Sequence, residues 1–256
     1  MANLCDTAKR ISRGTWRRLG SARGCRHQIL EETVTDLLTL ELQRKHPREV
    51  FVHTFTKPEE GKNGADWELW LTDRLRRRWL GIRFQAKIIN FDTDRFRALH
   101  HEHQSVRLRQ AASRVGAVPL YLLYLHVDRS QQHDFPCASP MEKRAVELFG
   151  CSLMSGAVKK ELQRTKEDRL TAVKDLLRPF HRILCTTTAG DESSTSVTAR
   201  WLELAGLLPP RTAAQSFLLG NAPPYVRLLI NGDLVAGLND VGPDSDLRRV
   251  LAVVSG

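Results

Sequence analysis

The chain reads as an α/β protein: a mixed sheet of about four strands flanked by helices, followed by a mostly helical C-terminal extension. Three observations predict this. Residues 27–128 alternate between helical and strand periodicities in the order α-β-β-β-α-β. The composition is that of a folded domain, with 41% hydrophobic and 27% charged residues over 256 positions. The longest apolar stretch, residues 117–127, contains Pro119 and has strand length, far short of a membrane span.

The elements follow in order. Residues 7–30 hold seven bases and no acid, interrupted by Gly14, Gly20 and Gly24. That pattern predicts a flexible basic arm over 1–26, with a short helical piece at most. Leu30, Val34, Leu37 and Leu38 recur at helical spacing, so 27–45 reads as a helix stopped by His46-Pro47. Residues 49–56 are rich in β-formers and lead into a polar loop over 57–64. Residues 66–72 and 78–90 form two strands of a hairpin whose tip carries Arg74, Arg76, Arg77 and Arg78. Residues 94–115 read as a polar helix ended by Gly116, and 119–127 as a buried strand.

The C-terminal half divides less sharply. Residues 129–185 read as a helical extension, with helices over 141–149 and 157–177 and a short strand over 181–185. The Thr/Ser-rich stretch 186–199 reads as a linker. Residues 200–256 read as a small helix and hairpin region, with Asn231-Gly232-Asp233 turning between strands at 226–230 and 234–238.

Charge points toward an anionic partner. The chain carries 39 Lys and Arg against 29 Asp and Glu, and residues 1–128 hold 23 of the bases and 15 of the acids. A basic front half suits nucleic acid better than membrane, because no amphipathic basic helix with a Trp/Phe/Leu face is evident. The five cysteines are odd in number and none sits at C-x-x-C spacing. A disulfide framework or structural zinc is therefore not expected, and a reducing cytoplasmic setting is. No secretory signal is evident; an Arg-rich transit peptide stays open.

The chemistry lies on the two central strands. Side chains alternate faces along a strand, so Arg83, Gln85 and Lys87 share one side and Ile82, Phe84, Ala86 and Ile88 the other. On the preceding strand Asp66, Glu68 and Trp70 share a face. A hairpin brings a carboxylate beside an amide and an ammonium. Such a set suits phosphodiester hydrolysis. Asp66 would bind a hard divalent cation, helped by the Gln85 oxygen or the Ala86 carbonyl. Lys87 would orient the attacking water or neutralise a phosphate oxygen. A helix acid, Glu31 or Glu32, would complete the cation shell. Glu68 is either an exposed strand acid or a replacement for the acid missing at position 85.

Gly64-Ala65-Asp66 followed by Gln85-Ala86-Lys87, in this element order, resembles the PD-(D/E)xK nuclease superfamily, most closely its Mrr-type members with Q-x-K. The segment 30–38 is similar to that family's first helix. The resemblance covers residues 27–127. It implies a restriction-endonuclease-like core over 27–128, Mg²⁺ or Mn²⁺ as cofactor, and catalytic roles for Glu31, Asp66, Gln85 and Lys87. Defence or mobile-element biology fits it. The motif proline is Ala65 here, and Gln85 replaces the central acid, leaving one negative charge fewer. The same stretch also resembles an uncharacterised bacterial family with E-E-x-x-T-D, T-F-T-K-x-E-E, G-A-D-W-E and Q-A-K motifs.

The expected function is a metal-dependent nuclease acting on DNA before RNA, with Arg74, Arg76, Arg77, Arg78 and Arg107 on the nucleic-acid backbone. Gln104 and Arg109 are further phosphate candidates, and a homodimer is compatible with the sequence. Two rival readings are a catalytically inactive nucleic-acid-binding module and a regulatory or protein-interaction protein. Trp67, Trp70, Trp79, Tyr121 and Tyr124 are expected in the core. His100, His101 and His103 do not share one helical face, and Cys25 with His27 supplies too few ligands for a zinc site.

Overall fold

The computed structural model describes residues 3–54, 67–97, 99, 102–128, 135, 146–156, 160–185, 197–208, 217–232, 247 and 249–255. The elements are α1 (Leu4–Gly24), α2 (Glu31–Lys45), β1 (Val50–Thr54), β2 (Trp67–Asp73), β3 (Trp79–Asn90), β4 (Arg95–Phe96), α3 (Glu102–Arg114) and β5 (Val118–Tyr124). They continue with β6 (Cys151–Ser155), α4 (Lys160–Thr165), α5 (Leu170–Val173), β7 (Arg178–Pro179), α6 (Val197–Ala205), β8 (Leu218–Leu219), α7 (Pro224–Asn231) and β9 (Arg249–Ser255). The α/β class is as the sequence predicts, and so is the order over 31–124 except that the helix expected over 94–115 begins only at Glu102, after the short strand β4. No helix among the described residues is long and apolar enough to cross a membrane.

The basic N-terminal segment is not a flexible arm. Leu4, Ala8, Ile11, Thr15, Leu19 and Ala22 recur every three or four residues and are buried along one stripe of α1. Asn3 caps the helix by accepting from the Asp6 amide at 2.8 Å. The bases lie on the other side, where Arg10, Arg13, Arg17 and Arg18 are exposed. Their number hid an amphipathic pattern with few large apolar residues. Arg23 instead ties α1 to the core, pairing with Asp94 at 2.5 Å and Asp128 at 2.9 Å.

The sheet runs β1-β9-β2-β3-β5-β6-β7, with β4 and β8 also paired to β3. β2 and β3 form the expected antiparallel hairpin. β3 and β5 are parallel, joined through α3. The C-terminal half is thus no helical extension. β6 and β7 extend the sheet beyond β5. β9 inserts between β1 and β2, antiparallel to the first and parallel to the second. Val250, Leu251, Ala252 and Val253 are all buried, as a strand covered on both faces requires.

Two layers cover the sheet. On one face α1, α2 and α6 pack on Trp67, Leu69, Ile82, Phe84, Leu120 and Leu251. On the other, α3 and α5 cover Tyr121 and Leu123, while α7 covers Trp70, Trp79, Val250 and Ala252.

Three further expectations change. The segment read as a hairpin at 226–238 is helix α7 as far as Asn231, and residues 234–238 lie outside the described set. Pro224 starts the helix and Gly232 ends it at φ 82°, so the Asn-Gly pair is a helix stop rather than a strand turn. Residues 180–183 form a 3₁₀ turn, not a strand. Cys5 and Cys185 form a disulfide across a separation of 180 residues, which spacing rules could not detect.

Candidate functional site

β3 carries the three polar residues 83, 85 and 87 on one side, and each meets a different environment. Arg83 lies opposite Glu68 of β2 in the hairpin register. Its Nε stands 3.4 Å from Glu68 Oε1, and its Nη1 donates to the Ala111 carbonyl of α3 at 2.8 Å. Glu68 Oε2 accepts from Trp70 Nε1 at 2.9 Å and from the Tyr225 hydroxyl of α7 at 2.7 Å. Glu68 is 0% exposed. It is therefore neither an exposed strand acid nor open to solvent as a metal ligand. Burial, and then the charge of Glu68, raise the Tyr225 phenol well above its ordinary value. The indole of Trp70 fits because position 81 is glycine: a Cβ there would lie 2.5 Å from the ring.

Gln85, two residues on, is 7% exposed, and its Oε1 is buried with no hydrogen-bond partner. Lys87 follows, 8% exposed. It lies on the floor of a cleft of about 460 Å³ at the end of β3. Glu31 and Glu32, the first residues of α2, line the same cleft, Glu31 half-buried and Glu32 exposed. Thr35, one turn later, anchors the helix start: its hydroxyl donates to the Glu31 carbonyl at 3.0 Å and lies 2.8 Å from the Tyr124 hydroxyl. Arg97 after β4 and Gln104 on α3 complete the polar lining.

Glu31, Glu32 and Lys87 thus line one cleft, while Gln85 shares the side of β3 that carries Lys87 but does not line it. Asp66, the first carboxylate of the sequence motif, lies outside the described residues, as do His100 and His101. Among the described residues no group of three His, Cys, Asp or Glu side chains could hold a metal ion. Arg74, Arg76, Arg77 and Arg78 are exposed at the hairpin tip. Trp79 and Lys87 stand eight residue steps apart on β3, so the tip lies about 26 Å from the cleft, toward the other end of the strand. Arg76 and Arg78 there reach Asn231 and Thr198. Arg107 is exposed one turn beyond Gln104 on α3, and Arg109 Nε donates back to the Ser105 carbonyl at 3.3 Å. Trp67, Trp70, Trp79, Tyr121 and Tyr124 are buried as expected.

Sequence reasoning missed Arg97 and Gln28 as cleft residues. It also missed the pairing of Asp36 on α2 with Arg249 on β9. No spacing signal marks any of the three, because each depends on elements remote in the chain.

An α/β protein with a polar cleft at the end of its central strand is the class that fold and site define. The chain belongs to a family of unknown function, DUF6615, whose model matches residues 4–255. No curated protein matches it, and no solved structure does.

Proposed function

We propose that this protein is a metal-dependent nuclease of the PD-(D/E)xK type that hydrolyses phosphodiester bonds, in DNA before RNA. One observation carries the reading: the Lys87 of the Q-x-K motif reaches the floor of an open cleft edged by the acids at the start of α2. The sequence motif adds Asp66.

The available donors suit a hard cation. Glu31 and Glu32 offer carboxylate oxygens in the cleft, and Asp66 and Gln85 of the sequence motifs would add two more, so the set is all oxygen, as Mg²⁺ or Mn²⁺ prefers. When bound, such an ion supplies a water of lowered pKa and charge neutralisation at the phosphate. The chain's own groups supply the rest. The ammonium of Lys87, shielded from bulk water, balances charge that develops on a phosphate oxygen. Arg97 at the cleft edge binds an adjoining phosphate. The exposed bases of α1 add a sequence-independent attraction for the backbone.

The test is cleavage of plasmid and single-stranded DNA with Mg²⁺ or Mn²⁺, and its loss in EDTA. Lys87→Ala is expected to slow cleavage by roughly 10²-fold or more. Wild-type activity in that variant would sink the mechanism. Salt-dependent binding without cleavage would instead identify a non-catalytic binding module. No binding at low salt would point to a protein-interaction role.

A further inference from the structure

The cleft around Lys87 contains groups that phosphate chemistry does not need. Ile29, Leu30 and Ile88 form an apolar part of its lining. Leu30 is 65% exposed beside the cleft; Leu37, Leu40 and Leu75 are exposed as well, but of these four only Leu30 lines it. It occupies the N-cap position of α2 and makes no side-chain capping bond, so helix formation does not explain leucine there. Gln104 lines the cleft too, half-buried, and its Oε1 has no hydrogen-bond partner among the described residues. The amide of Gln28 is held in place by donating to the Ile29 and Ile89 carbonyls at 3.1 and 3.3 Å.

An apolar lip, a waiting amide acceptor and a cation on the floor match the three parts of one nucleotide. The base has an apolar face and a donor edge, and the phosphate carries the charge. A paired duplex does not present them together. Its base faces are stacked and its edges lie in the grooves, so a cleft of this kind meets only phosphate and sugar. An unpaired strand can turn each base outward onto side chains. The volume, about 460 Å³, falls in the range of sites that enclose a small ligand.

We infer that the substrate strand enters this cleft unpaired, with one base resting on Leu30 and hydrogen-bonded at Gln104, and its phosphate against Lys87. This rests on the nuclease reading and narrows it to single-stranded or locally unpaired nucleic acid.

The experiment uses the full-length protein and one labelled oligonucleotide in three forms: single-stranded, fully paired, and paired with a central unpaired bulge. Cleavage is measured with Mn²⁺, and binding by fluorescence anisotropy in EDTA. The single strand and the bulge are expected to be cut and bound at least about tenfold better than the paired form. Leu30→Ser is expected to bring that ratio down about tenfold, toward one, with an unchanged circular dichroism spectrum because Leu30 is exposed. Equal or faster cutting of the fully paired form would overturn the inference and leave the nuclease reading intact. So would an unchanged ratio in Leu30→Ser. No cleavage of any form, with Leu30-dependent preference for the single strand in EDTA, would remove the nuclease reading and keep the inference. Absence of both cleavage and binding would remove both.

Discussion

Arg83 and Lys87 leave the same side of one strand, four residues apart, and meet opposite fates. Arg83 is enclosed between α3 and the Glu68 carboxylate, and Trp70 and Tyr225 close the remaining oxygen of that acid. Lys87 faces a cleft, and no hydrogen bond or ion pair holds its ammonium among the described residues. A buried charge beside an opposite charge ranks as structure, and removing its partner is expensive. A shielded charge beside an open cleft costs some stability. Two nearby positions of β3 therefore meet different environments, although the residue types read alike.

The largest test breaks the sealed position altogether. β9 lies against Glu68's strand, with Val250 opposite Glu68 in register. Besides Ala252 and Arg249, deleting residues 249–255 removes the large buried aliphatic side chains of Val250, Leu251 and Val253. At about 1.5–3 kcal/mol each, their loss rivals the whole stability of a domain. The truncated chain is expected to lack a cooperative thermal transition; a normal melt would show that the C-terminal strand is dispensable.

Next comes Glu68→Ala, which leaves Arg83 buried without its carboxylate. A loss of about 3–5 kcal/mol is expected from urea unfolding curves. A loss below about 1 kcal/mol would mean that Ala111 and water already satisfy the guanidinium.

Lys87→Met sharpens the contrast in the other direction. Its unfolding free energy should be unchanged or higher by up to about 1 kcal/mol, because an unpaired shielded ammonium is replaced by an apolar chain of similar length. The same variant should lose cleavage. Destabilisation comparable to that of Glu68→Ala would erase the distinction between the two positions.

The smallest effect appears only in alkali. Tyr225 at the sealed position and Tyr121 beside Gln85 both have phenols raised by burial, Tyr121 to about 12. The unfolded chain ionises near the ordinary value of 10.0, while the folded phenols stay protonated. The stabilisation is thus complete below pH 10 and lost as pH rises through the folded values. Unfolding midpoints should fall between pH 10 and 12, and Tyr225→Phe should flatten that fall. An identical profile in the variant would detach Tyr225 from it.

Much of this was legible along the chain, and the reasons are local. Period-two alternation over 79–88 correctly sorted Arg83, Gln85 and Lys87 from Ile82, Phe84 and Ala86. Helical spacing placed Glu31 in a helix expected over 27–45, which begins at Glu31 itself, and the aromatic residues of β2, β3 and β5 read as core and are core. Alternation says which side chains share a face; it does not say what covers that face. The cover over Glu68 comes from Tyr225, 157 residues away. α1 was hidden because its arginines outnumber its large apolar residues, although Leu4, Ile11 and Leu19 keep the helical period. The Asn-Gly pair at 231–232 signals a reversal or a helix stop equally well, and only the packing of α7 chose between them.

By itself, then, the amino-acid order determined the α/β character, the hairpin of β2 and β3, and the side of the sheet to which the polar residues belong. These follow from periodicity and backbone geometry within a few residues. The tertiary structure alone decided that β9 lies between β1 and β2, that Cys5 meets Cys185, and that Arg83 is sealed while Lys87 stands at an opening. Those outcomes depend on contacts between segments remote in the chain, 157 residues apart for Glu68 and Tyr225 and 180 for the disulfide, and local preference carries no information about which distant surface will arrive.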